Sequence, residues 1–169
     1  MRGKVDAGDR APEFRARDVL GREFDMAGFL GRGNLVFFFY RNAQCQTCRE
    51  ELKDLADKYP YISQQDAEVV AISTDGIDIA KNLAVDLRLP FRVISDLDGD
   101  IIREYGVWDD ATDTASPTIF VIDKEGVVRY KKAVESLFAL VPADEIVNML
   151  RELGTPRIGG DPFRSFRYK

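Results

Sequence analysis

Cys45 and Cys48 stand three residues apart, immediately after the apolar run 34–40. At the start of a helix that spacing puts both sulfurs on one face of the first turn. Free N–H groups and the helix dipole make such a place electropositive, which favours thiolate over thiol. Arg41 and Arg49 flank the pair and act the same way, while Glu50 and Glu51 oppose it from further along the helix. Two thiols so placed can close a short disulfide and reopen it. The same residues also allow two inert structural thiols, or half of a zinc site shared with another chain. The 169 residues contain no histidine and no third cysteine. That excludes Ser-His and Cys-His catalysis, His-ligated metals and an all-cysteine metal site within one chain. A strand before the motif and a helix after it, within a βαβ pattern, is the setting of a thioredoxin-like redox pair.

The elements that must position the pair follow from periodicity. The run 34–40, Asn-Leu-Val-Phe-Phe-Phe-Tyr, suits a central strand buried on both faces. Leu52, Leu55, Ala56 and Tyr59 mark an amphipathic helix that Pro60 is expected to stop. Residues 67–73 predict a strand. A helix with Ile79, Ala80, Leu83, Ala84 and Leu87 on its buried face follows, then a strand over 91–95 and a short helix over 98–105. The segments 118–123 and 127–134 predict an antiparallel hairpin. A last helix carries Ile146, Val147, Leu150 and Leu153, with Pro142 near its start and Gly154 at its end. Phe14, Val19, Phe24 and Phe29 anchor an N-terminal hairpin that turns at Gly21. The order predicts an α/β thioredoxin-like fold: a mixed central sheet with helices on both faces. Residues 1–154 form a single redox domain and 155–169 a basic tail.

Composition bounds the partners. A net charge of −5 argues against nucleic-acid or anionic-membrane binding. No secretory h-region or membrane-length apolar run is visible, so a cytoplasmic protein is expected. The tail carries Arg157, Arg164, Arg167 and Lys169 against Asp161. It reads either as a loose segment on an acidic surface or as a docking segment anchored by Phe163, Phe166 and Tyr168. Asp96, Asp98 and Asp100 lack the distal glutamate of a calcium loop and read as a turn plus helix cap. Gly31-Arg32-Gly33 precedes a strand and is not a dinucleotide fingerprint.

The stretches FFFYRNAQCQTCREEL, VVAIST, LPFRVISDLDGDIIREYGV and PTIFVIDKEGVV, with GDRAPEF and DVLGREF before them, resemble a known family. It is the peroxiredoxins of the alkyl hydroperoxide reductase / thiol-specific antioxidant group, closest to the bacterioferritin-comigratory type. The likeness covers residues 8–153. It implies a thioredoxin fold and reduction of hydrogen peroxide or organic hydroperoxides by a cysteine thiolate, re-reduction by a thioredoxin-type dithiol, and no bound cofactor or metal. A monomer or homodimer is expected. The family pattern Pro-x-x-x-Thr-x-x-Cys puts the peroxidatic cysteine on Cys48, the threonine on Cys45 and the proline on Arg41. The family's activating arginine falls on Pro117. No resolving cysteine lies downstream, so an intrachain disulfide must be Cys45–Cys48. The motif CQTCREE also resembles thioredoxin-like Cys-x-x-Cys-Arg-x-Glu reductases. That likeness makes Cys45 the attacking thiol and Cys48 its buried resolver.

The nucleophile is therefore open. Position at the helix cap favours Cys45 and family register favours Cys48, with Arg41 able to supply the displaced guanidinium. A thiol peroxidase is the first expectation. The alternative is an oxidoreductase acting on protein disulfides, with an extended groove beside Pro117 where Ser116 and Thr118 offer backbone hydrogen bonds. A non-enzymatic interaction domain is the third. A cis Ser116–Pro117 bond facing the cysteines is expected, and Trp108 is a candidate cover for the site.

Overall fold

The computed structural model describes residues 4–154. Its centre is β3 (Asn34–Phe39), every residue of which is buried. Alternation sends Leu35, Phe37 and Phe39 to one face and Val36 and Phe38 to the other. β3 pairs in parallel with β4 (Ala67–Ser73), and β4 with β5 (Arg92–Ser95). On its other side β3 pairs antiparallel with β8 (Thr118–Ile122), which pairs antiparallel with β9 (Val128–Ala133). The five-stranded mixed sheet runs β5-β4-β3-β8-β9.

One face carries α2 (Gln46–Ser63), α3 (Ile77–Leu87) and α5 (Ala143–Gly154). Leu52, Leu55, Leu83, Ile146 and Leu150 pack there on Val36, Phe38 and Val121. The other face is covered by the N-terminal hairpin of β1 (Arg15–Arg17) and β2 (Glu23–Asp25), with α1 (Met26–Phe29) and α4 (Asp100–Glu104). The hairpin turns at Gly21, where φ is +84°. Asp18 accepts the N–H groups of Leu20 and Arg22 there. Tyr105 anchors this second core, its ring against Phe37, Phe39 and Phe120 and its hydroxyl donating to the Pro12 carbonyl.

Three local expectations are corrected. Pro60 lies inside α2 instead of ending it. A proline removes one helical N–H, and the extra turn buries Ile62 completely, which offsets that loss. In α3, Ala80 and Leu83 face the core, while Ile79 is 48% exposed at the margin of the apolar stripe. A small hairpin of β6 (Trp108–Asp109) and β7 (Thr114–Ala115) was not predicted, because two-residue strands carry no readable alternation. The aspartate cluster is a turn plus helix cap as expected: Asp96 accepts the Ile102 N–H, and Gly99 N–H donates to the Asp96 carbonyl. No helix among the described residues is long and apolar enough to cross a membrane. The tail 155–169 lies outside the described residues.

Candidate active site

The chain leaves β3 through Tyr40 and turns at residues 41–44 into α2. Asn42 shapes the turn: its side-chain oxygen accepts the Gln44 N–H and its carbonyl the Cys45 N–H. The loop is tied down from both sides. Ala43 N–H donates to Asp75 Oδ2 at 2.8 Å, and the Arg49 guanidinium donates to the Ala43 carbonyl at 2.9 Å.

Cys45 is the N-cap of α2, with extended backbone. Its Sγ accepts the Cys48 backbone N–H at 3.2 Å, the place normally taken by a serine or aspartate oxygen. It is partly exposed. Cys48 has no exposed surface. Its Sγ accepts the Arg41 backbone N–H at 3.4 Å. Burial holds the Cys48 thiol well above the ordinary cysteine range, and its hydrogen bond to Cys45 pushes the same way. The Arg41 N–H and guanidinium pull against both. Both cysteines are free thiols. The arrangement is one reachable sulfur in the field of a helix N-terminus and one sealed sulfur three residues on.

Ser116, Thr118 and Trp108 come together on one groove of about 550 Å³, which neither cysteine lines. The backbone on either side of Pro117 is engaged within the fold. Ser116 N–H donates to the Val107 carbonyl, the Ser116 carbonyl accepts the Thr118 hydroxyl, and Val134 N–H donates to the Pro117 carbonyl. Thr118 pairs with Phe39 on one side and Ala133 on the other. The Ser116–Pro117 bond is trans, correcting the expected cis bond: there are no cis bonds among the described residues. Trans is the commoner X-Pro form, and here the buried Pro117 feeds straight into β8. Trp108 packs with the second core, its indole N–H donating to Asp110 and its ring under the Arg103 guanidinium. A second groove, of about 480 Å³, does border the cysteine loop; Ala43, Gln44 and Arg49 face Asn82 and Asp86 of α3 across it.

Three residues near the pair escaped the sequence reading. Glu51, read only as a charge opposing the thiolate from further along the helix, is fully buried. It accepts the Val141 N–H, and burial raises its carboxyl to about 7. The signal was its spacing, three after Cys48 and four before Leu55, on the buried face of α2. Asp75 lies two residues past the end of β4, the strand parallel to β3, so its loop shares the carboxyl end of the sheet with the cysteine turn. Tyr40 reads as core, yet its buried hydroxyl lies close enough to Cys48 to feel that sulfur's charge. No group of three or more His, Cys, Asp or Glu side chains among the described residues is placed to hold a metal.

Residues 7–131 match the model of the AhpC/TSA family. The chain is 34% identical over 126 residues to the thiol-disulfide oxidoreductase ResA of Bacillus thuringiensis subsp. konkukian, covering 74% of this chain and 68% of that protein. It is 34% identical over 129 residues to the chloroplastic peroxiredoxin Q of Oryza sativa subsp. japonica, covering 76% of this chain and 59% of that one. Among solved structures, peroxidoxin BcpB from Mycobacterium tuberculosis superposes with a TM-score of 0.78 at 26% identity, over 88% of this chain and 97% of that one. Enterococcus faecalis AhpC superposes at 0.77 and 22% identity, covering 88% and 92%, a likeness of fold alone.

Proposed function

The chain belongs to the AhpC/TSA family of thioredoxin-fold peroxiredoxins, and we propose that this member is a dithiol–disulfide oxidoreductase in which Cys45 attacks and Cys48 resolves. One observation carries the reading. Cys45 is partly exposed and its Sγ holds a helix N–H, whereas Cys48 is sealed and kept protonated. The Cys45 thiolate attacks a substrate disulfide, and one substrate sulfur leaves as thiolate. Cys48 gives up its proton and attacks Cys45 Sγ in the mixed disulfide, and the second substrate sulfur leaves. Two electrons have passed to the substrate and the Cys45–Cys48 disulfide has formed. A thioredoxin-type dithiol returns the pair to the reduced state by the same exchange in reverse. The likeness to ResA supports this reading.

The family match and the likeness to peroxiredoxin Q favour a second reading, peroxide reduction. It would run on the same sulfur. Cys45 thiolate attacks the O–O bond, water or an alcohol leaves, and Cys48 condenses with the sulfenic acid to release water. We place the disulfide reading first because the family's own register would put peroxide attack on Cys48, not on the more exposed Cys45. A fully buried sulfur, held as thiol, is a poor nucleophile toward solvent-borne peroxide.

Insulin-disulfide reduction and rapid-mixing consumption of hydrogen peroxide, in wild type, Cys45→Ser and Cys48→Ser, separate the readings. The expected result is insulin reduction that Cys45→Ser abolishes, with sluggish peroxide consumption. Fast peroxide consumption surviving in Cys45→Ser would overturn the proposal.

A further inference from the structure

Among the described residues, three buried side-chain polar atoms have no hydrogen-bond partner: Tyr40 OH, Arg41 Nε and Glu51 Oε2. Folded proteins leave few such atoms, because each costs on the order of 1–3 kcal/mol. Two of the three are donors on consecutive residues, and both bear on Cys48. The Arg41 backbone already donates to Cys48 Sγ, and its guanidinium acts on the same sulfur. No carboxylate among the described residues forms an ion pair with Arg41. Ser73, Asp75 and Cys48 act on the Tyr40 hydroxyl, Ser73 as a weak hydrogen-bond partner, yet the hydroxyl makes no full hydrogen bond to any of them.

Buried donors without an acceptor at rest are set for a charge that exists only during turnover. Resting Cys48 is a neutral thiol hydrogen-bonded to Cys45 and makes little use of them. The charge the reaction creates there is the Cys48 thiolate. We propose that the Tyr40 hydroxyl and the Arg41 guanidinium form a donor pair that receives Cys48 as a thiolate when the Cys45–Cys48 disulfide opens. This rests on the reading above that the pair cycles. In that step a reductant thiolate attacks Cys45 Sγ. A reductant–Cys45 bond forms, the Cys45–Cys48 bond breaks, and Cys48 leaves with the electron pair. The second reductant thiol then displaces Cys45, the reductant ends as its own disulfide, and Cys48 takes up a proton. A better-stabilised leaving thiolate departs faster. Glu51 is held on the Val141 N–H and is not among the groups acting on Cys48; it stays outside the pair.

The test is the rate at which dithiothreitol opens the disulfide in the full chain oxidised with diamide. Aliquots are quenched with an alkylating reagent and read by mass. Tyr40→Phe keeps its ring against Phe38 and removes only the hydroxyl. Tyr40→Phe and Arg41→Gln are each expected to slow opening about tenfold. Arg41→Lys, which keeps the charge, should recover most of the Arg41→Gln loss. Alkylation of Cys45 in the reduced proteins should stay within about twofold of wild type, because Cys45 Sγ takes its hydrogen bond from the Cys48 N–H, which both variants keep. Wild-type opening rates in both variants overturn the proposal. So does an equal slowing of Cys45 alkylation, which marks a loosened loop. Dithiothreitol needs no natural substrate. Slowed opening without insulin reduction therefore keeps the donor pair and sinks the reading above, and the reverse pattern does the opposite.

Discussion

The backbone N–H of Cys48 donates to Cys45 Sγ at 3.2 Å, so the more exposed of the two cysteines caps the helix that carries the buried one. On the proposed mechanism, disulfide chemistry and helix capping share that atom. In Cys48→Ser the remaining Cys45 should react with iodoacetamide at pH 7.5 at least about a hundredfold faster than Cys48 does in Cys45→Ser, given the difference in access and thiolate fraction. Cys45→Ala should also lower stability by about 1 kcal/mol relative to Cys45→Ser, which keeps a capping atom. Paired alkylation rates and urea denaturation check both statements, and equal rates would sink the assignment of the nucleophile.

Glu51 makes stability depend on pH. Burial raises its carboxyl from 4.5 to about 7 in the fold. Between those values the folded chain holds more protons than the unfolded chain, so stability falls as pH rises through the window and levels off above it. Glu51→Gln removes the dependence while keeping an acceptor for the Val141 N–H. Stability curves of wild type and variant should diverge between about pH 4.5 and 7, by roughly 3 kcal/mol at most, with the variant the more stable at pH 8. Parallel curves would show that Glu51 is not the titrating group.

What could be read from residues alone was set by the strength of each local signal. The run 34–40 has no polar interior position, so a doubly buried strand was its only comfortable place, and β3 is that strand. Gly21 announced the first hairpin, which turns there with φ +84°. Pro60 misled because a proline forbids one hydrogen bond, whereas the buried Ile62 downstream rewards continuing the helix. The cysteine spacing was plain. Which sulfur is the more exposed was not, since Cys48 is sealed only once its helix packs into the core. The same holds for Glu51, whose charge concealed a position on the buried face.

Gly99 and Trp108 test whether the tryptophan serves the site. Gly99 has φ +76°, and a Cβ there would lie 2.6 Å from Trp108 Cζ3 and 3.0 Å from an Arg103 nitrogen. Gly99→Ala therefore combines left-handed strain with a displaced indole and should cost about 2–3 kcal/mol in urea denaturation. Because Trp108 packs with the core on the sheet face away from Cys48, Cys45 alkylation should stay within about twofold of wild type. A larger change would make Trp108 part of the cysteine environment.

Asp75 is the clamp between the loop after β4 and the cysteine turn. Its Oδ2 accepts the Ala43 N–H at 2.8 Å, and its own carbonyl takes the Ser95 hydroxyl at 2.6 Å, so the loop is anchored to β5 as well. Asp75→Ala leaves the half-buried Ala43 N–H without its partner and should cost about 1–2 kcal/mol. The turn that presents Cys45 loses a tether, so Cys45 alkylation and dithiothreitol opening should both slow several-fold, unlike the selective effect expected at Tyr40 and Arg41. Burial raises the Asp75 carboxyl, so its charge costs stability as pH rises. Asp75→Asn keeps an acceptor without the charge and should retain wild-type kinetics at equal or greater stability near neutral pH. Wild-type alkylation and opening rates in Asp75→Ala would show that the turn is held by Arg49 and Asn42 alone.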